Sequence, residues 1–112
     1  MGRDGAGRSE YRVKLPPFYP ILDADRLSAI PAAEVLLEAG VQILQYRKKS
    51  FFSRKALEEA QRIAELCRSA GAQFVVNDRA DVATLLNAAL HLGQDDLSPS
   101  DARRIMPAAS II

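Results

Sequence analysis

Short apolar runs recur along this chain, and each pair of runs is separated by a segment of helical period. FYPILD at 18–23, VQILQYR at 41–47, AQFVVND at 72–78 and ALHLGQ at 89–94 are strand-length segments suited to burial. Residues 28–39 read as a helix, with Pro31 early in it and Gly40 just beyond. Ser53 opens a second helix, in which Leu57, Ala60, Ala64 and Cys67 recur at helical spacing and Gly71 is the stop. A third helix runs from Ala80 to about Asn87. Ser98, Pro99 and Asp101 form the capped start of a fourth, and ASII at 109–112 begins another apolar run.

Four β-then-α units without long loops require a parallel sheet covered by helices. Two architectures satisfy this: a doubly wound sheet and an eight-stranded (β/α)8 TIM barrel. A barrel takes about 250 residues. With 112 residues that stop inside an apolar run, the chain is expected to be a truncated part-barrel. It would hold about four βα units plus the start of a fifth strand. Residues 1–14 are expected to be a flexible glycine-rich leader, and 15–112 the incomplete barrel domain. Unpaired sheet edges would then favour self-association.

Composition narrows the function. The chain is 48% hydrophobic and 26% charged, a globular balance, and its net charge of +1 supplies no broad basic surface for nucleic acid or anionic membrane. Aromatic residues are 6% of the chain, which leaves few stacking platforms for single strands. No apolar run approaches the roughly 20 residues that span a bilayer, and MGRDGAGRSEYRVK lacks a signal-peptide core. Ala6 stands where a myristoylation site expects a hydroxyl. Cys67, the sole cysteine, reads as a reduced core residue, and the expected location is cytoplasmic.

The chemistry-bearing residues gather at the ends of the runs. Alternate residues of a strand share a face, so Gln45, Arg47 and Lys49 are expected on one side, with Tyr46 and Lys48 on the other. An amide, a guanidinium fork and an ammonium aimed at one point suit a diphosphate. A solvated strand end accounts for the same spacing. The third run ends in Asn77 and Asp78, with Asp81 beyond: a neutral substrate contact and a magnesium ligand, or acids that complement the next helix. The fourth ends HLGQDDL, where Gly93 permits close backbone approach and Asp95 and Asp96 follow. Asp78 and Asp96, at the ends of adjacent parallel strands, suit a shared Mg2+ completed by substrate phosphate. His91, among leucines, is expected to be a hydrogen-bonded structural residue. Asp23 and Asp25 reach the same ligand or serve helix entry. Ligands bind at the carboxyl ends of parallel strands, and all three signals fall on that rim.

In order, QYRKK, NDR and HLGQDD resemble the thiamine phosphate synthase family, with its Gln-Leu-Arg-x-Lys, Asn-Asp-Arg and His-x-Gly-Gln-[Asp/Glu]-Asp segments. The resemblance covers about residues 17–112. It implies a (β/α) barrel that joins a hydroxymethylpyrimidine diphosphate to a thiazole phosphate, giving thiamine phosphate and pyrophosphate. Carried over by position, Gln45, Arg47, Lys49 and Asn77 bind the pyrimidine diphosphate, while Asp78 and Asp96 hold Mg2+. NAALHLGQ is one residue short of the family's Ala-Asp-Gly-[Ile/Val]-His segment. The missing glycine either shifts the fourth strand's entry or is absorbed in the loop. Segments the family carries later, a serine contact, a Thr-x-Ser-Lys-like stretch and a glycine-rich phosphate loop, are absent from these residues. The chain alone is therefore expected to be inactive. Two other readings compete: a barrel relative that isomerises a thiazole phosphate, and a non-enzymatic phosphate-binding βα module.

Overall fold

The computed structural model describes residues 18–94, 96–106 and 110–111. The expected leader and Asp95 lie outside them. Strands β1 (Ile21–Asp23), β2 (Ile43–Arg47), β3 (Gln73–Asn77) and β4 (Ala89–His91) alternate with helices α1 (Ala29–Glu38), α2 (Arg54–Ala70), α3 (Ala80–Leu85) and α4 (Pro99–Ala102). The strands form one parallel sheet in chain order, β1-β2-β3-β4. Ile111 makes a single parallel bridge to Leu90, where the fifth apolar run was expected to begin.

The alternation of side chains divides the sheet into two faces. Leu22, Leu44, Tyr46, Phe74, Val76 and Leu90 pack into one core with Ala33 of α1, Ile63 and Cys67 of α2, Ala83 of α3 and Ala102 of α4. Ile43, Val75 and Ala89 form a second, smaller cluster on the opposite face, where Tyr19 joins them. Among the described residues the helices therefore cover one face only. That follows from a strand order that never reverses, because each right-handed crossover lands on the same side. Tyr46 turns to the helices as its parity requires, and its hydroxyl donates to Glu59 of α2 at 2.7 Å. Burial pushes the Cys67 thiol up to about 11, so it stays protonated in this core.

Helix ends follow their sequence signals closely. Ser53 accepts from the Ala56 amide, and Ser98 from the Asp101 amide, so both serve as side-chain caps. Gly71 closes α2 in the left-handed conformation at φ 73°. The strands are shorter than the apolar runs. β1 is regular only from Ile21, although the Pro20 carbonyl already accepts from the Gln45 amide at 3.0 Å. β3 stops at Asn77 because Asp78 leaves extended geometry at φ 70°.

The short turn before β4 is absorbed locally. Asn87 takes φ 53° and donates to the Thr84 carbonyl, while the Ala88 amide bonds Ala83 at 2.8 Å. These bonds end α3 in a Schellman turn, with asparagine in the place that glycine usually takes. β4 then pairs in register, Val75 with Ala89 and Asn77 with His91. A β-branched residue at this left-handed position costs about 1–2 kcal/mol. Asn87→Val is expected to lower stability by about that amount in urea denaturation, whereas Asn87→Gly should stay within about 0.5 kcal/mol of the parent.

Candidate active site

Register brings the strand ends together. Asp23 stands opposite Arg47, Tyr46 opposite Val76 and Asn77 opposite His91, so the C-terminal residues of all four strands form one row. Arg47 Nη1 donates to Asp23 Oδ2 at 3.2 Å. Gln45, expected beside Arg47 and Lys49, is more enclosed than either. Gln45 lies on the correct face, but it is only 1% exposed and its amide is committed within the protein. Its Nε2 donates to the Tyr19 hydroxyl at 3.0 Å, and its Oε1 accepts from Asn77 Nδ2 at 2.8 Å. Gln45 is thus a strut between the inner face and Asn77.

Asn77 is less settled. Its Oδ1 is buried and has no hydrogen-bond partner among the described residues. An unpaired buried acceptor costs about 1–3 kcal/mol.

Lys49 lies two residues beyond the end of β2, so strand parity does not aim it. Its Nζ nevertheless reaches Asp96 Oδ1 at 3.4 Å and Asp78 Oδ2 at 3.6 Å. One ammonium therefore bridges the two carboxylates expected to share a cation. Asp78 is held at φ 70° with its amide bonded to the His91 carbonyl at 2.9 Å. The helix-complementing role falls instead to Asp81, in the first turn of α3, which takes a two-point contact from Arg79 at 3.0 and 2.7 Å. Asp96 Oδ2 accepts from the Gly93 amide at 2.7 Å. That bond, ahead of the Lys49 ammonium, holds the Asp96 carboxyl below the usual carboxylate range.

Two residues depart from the sequence reading. His91 makes no side-chain hydrogen bond among the described residues, although its backbone carbonyl serves Asp78. Asp25 is engaged by the loop after β2. Its carboxylate accepts from the backbone amides of Lys49 and Ser50, from the Ser50 hydroxyl and from Lys48 Nζ. The only sequence signal for this was an acid two residues past a strand, opposite a loop rich in donors.

A family model described as thiamine monophosphate synthase matches residues 18–112. The chain belongs to the thiamine monophosphate synthase family. A thiamine-phosphate synthase from Synechococcus sp. (strain WH7803) is 44% identical over 84 residues, which are 74% of this chain and 24% of that protein. One from Chlorobium phaeobacteroides is 39% identical over 98 residues, 86% of this chain and 48% of that protein. The solved thiamine phosphate pyrophosphorylase from Pyrococcus furiosus superposes with a TM-score of 0.77 at 31% identity, covering 83% of this chain and 46% of that one. The chain thus spans between a quarter and a half of the length of these relatives. No helix among the described residues is long and apolar enough to cross a membrane.

Two outcomes follow from the geometry. A Cβ added at Gly93 would sit 3.1 Å from Asp96 Oδ2, so Gly93→Ala should displace that carboxylate and weaken its contact with Lys49, read as a changed Asp96 carboxyl chemical shift. Acid sensitivity is the second. Asp25 is held below the usual carboxylate range by the Ser50 hydroxyl first and the Lys49 amide next, and Asp81 by the Arg79 guanidinium. The unfolded chain binds these protons more readily, so their stabilisation is present above about pH 4 and is lost as pH falls through the lower native values. Thermal melts should be level from about pH 7 to 5 and fall steadily below about pH 4.

Proposed function

We propose that the protein carrying this chain is a transferase that joins hydroxymethylpyrimidine diphosphate to a thiazole phosphate, releasing pyrophosphate and forming thiamine phosphate. Family membership supports the reaction class, and one observation of this chain carries the assignment of the site. It is the Lys49 ammonium set 3.4 Å from Asp96 and 3.6 Å from Asp78 at the mouth of the sheet. The unreversed strand order with helices on one face supports a (β/α)8 barrel completed by the rest of the protein.

The donor set suits Mg2+. Two carboxylates already share one cation, and Mg2+ is commonly held by one or two carboxylates together with substrate phosphates. Asp78 and Asp96 would hold it, and when bound it supplies positive charge to the pyrophosphate oxygens. The remaining work falls to side chains. Arg47 and Lys49 grip the diphosphate. As the C–O bond lengthens, negative charge grows on the leaving group, and both cations stabilise that state more than the ground state. The bond's carbon becomes cationic and is captured by the thiazole nitrogen, so no protein nucleophile is required. Asn77, steadied by Gln45, offers its unpaired amide oxygen to a donor on the pyrimidine.

Calorimetric titration of the chain with pyrophosphate tests this reading. Binding is expected to require Mg2+, and to weaken about 10- to 100-fold in Lys49→Ala or Arg47→Ala through loss of charge-assisted hydrogen bonds. Asp78→Ala and Asp96→Ala should each remove the Mg2+ requirement's benefit. Magnesium-independent binding that survives both acid substitutions unchanged would instead favour a non-enzymatic phosphate-binding module.

A further inference from the structure

Lys49 has no ladder bond to fix it. β2 ends at Arg47 and α2 begins at Arg54 behind its Ser53 cap, so residues 48–52 form a loop. Yet the chemistry of the site needs the Lys49 ammonium at one point between two carboxylates. Among the described residues, the backbone of this loop is gripped by a single side chain. Asp25 Oδ2 accepts the Lys49 amide at 2.9 Å and the Ser50 amide at 3.2 Å. Its Oδ1 accepts Lys48 Nζ at 3.2 Å and the Ser50 hydroxyl.

We propose that Asp25 is a positioning residue for Lys49: by gripping the loop backbone it sets the ammonium between Asp78 and Asp96. The proposal rests on the diphosphate-binding reading above. A carboxylate has about four lone-pair sites, and these four donors use them, so Asp25 has none left for a ligand or a metal. Its own backbone is braced as well. The Asp25 amide bonds Asp23 Oδ1 at 3.1 Å, and the Asp23 carbonyl accepts the amides of Arg26 and Leu27 at 3.0 and 3.1 Å. The turn after β1 is thus a fixed platform, and the loop after β2 is tied to it. Asp23 holds Arg47 from the same turn. The cations at and just beyond the end of the second strand are therefore aimed by acids at and just beyond the end of the first.

The test measures backbone amide exchange and magnesium pyrophosphate affinity on the chain and on three variants. Asp25→Ala is expected to speed exchange at Lys49 and Ser50 by about tenfold or more, while the Gln45 amide, bonded to Pro20, keeps its protection. Affinity should fall about tenfold, the scale expected when a binding group is misplaced rather than removed. Asp25→Asn keeps a carbonyl oxygen for the two amides and should restore most of both readouts. Asp25→Glu keeps the charge but moves it one methylene outward, so it should fold and still bind about fivefold more weakly. That variant carries the test if Asp25→Ala loses protection at Gln45 and so has not folded. Unchanged exchange at Lys49 and Ser50 in Asp25→Ala overturns the proposal. So does faster exchange with undiminished affinity, or an Asp25→Glu that binds as the parent does. A parent chain that binds no magnesium pyrophosphate overturns it together with the transferase reading, and that failure is visible before any substitution is made.

Discussion

Parallel strands in unbroken chain order, paired without a slip, give each position in the sheet a fixed direction. In β2, the even positions Leu44 and Tyr46 enter the helix-covered core, while Ile43, Gln45 and Arg47 take the other face. Because all four strands run the same way, their last residues also share one end. Asp23, Arg47, Asn77 and His91 meet there with no element devoted to gathering them. A slip of one residue in any strand would send its half of the site into the apolar core. The packing of Leu44, Val76 and Leu90 against the helices is therefore also what aims the polar row.

The cations at the row are each paired within the protein. Arg47 is paired with Asp23, and Lys49 with both Asp78 and Asp96. Partly exposed pairs of this kind contribute about 0–1 kcal/mol each, so little is lost when a partner is exchanged. On the proposed reading, a divalent cation and a diphosphate would offer such an exchange, with Asp78 and Asp96 holding the metal and Lys49 the phosphate. The arrangement sets one ammonium against two neighbouring carboxylates, yet leaves each group weakly enough held to turn to a ligand.

How far the sequence revealed this depended on the range of the interaction. Period-two alternation set Tyr46 against Gln45, and helical spacing with Ser53 and Gly71 set the bounds of α2; each is decided by neighbours in the chain. The internal contacts of Gln45 and Asp25 were not legible, because each reaches across loops or strands. Gln45 meets Tyr19 and Asn77, at sequence separations of 26 and 32. Asp25 meets a loop about as distant, at separations of 23 to 25. Lys49 was placed in the site by a strand parity that does not reach it, since the strand has already ended; the loop tied down by Asp25 brings it there instead. The apparent deletion before β4 was equally ambiguous on paper, since only coordinates show Asn87 accepting the left-handed turn.

The strongest sign of function lies in two consecutive residues that the fold alone would not choose. The Tyr19–Gln45–Asn77 chain uses both ends of the Gln45 amide but one end of the Asn77 amide, so one polar atom of Asn77 is left buried and unpaired whichever way round the amides stand. Asp78 beside it occupies φ 70°, a conformation disfavoured by about 1–2 kcal/mol for a residue with a Cβ. A glycine at 78 would relieve the second penalty without disturbing the ladder. Natural structures keep such penalties where surrounding contacts enforce them and a ligand makes use of them. Here the enforcing contacts are visible: Gln45 holds the Asn77 amide, and the His91 carbonyl holds the Asp78 amide. Strain and unmet hydrogen bonding thus coincide with the carboxylate that faces Lys49, which is where the proposed reading puts the ligand.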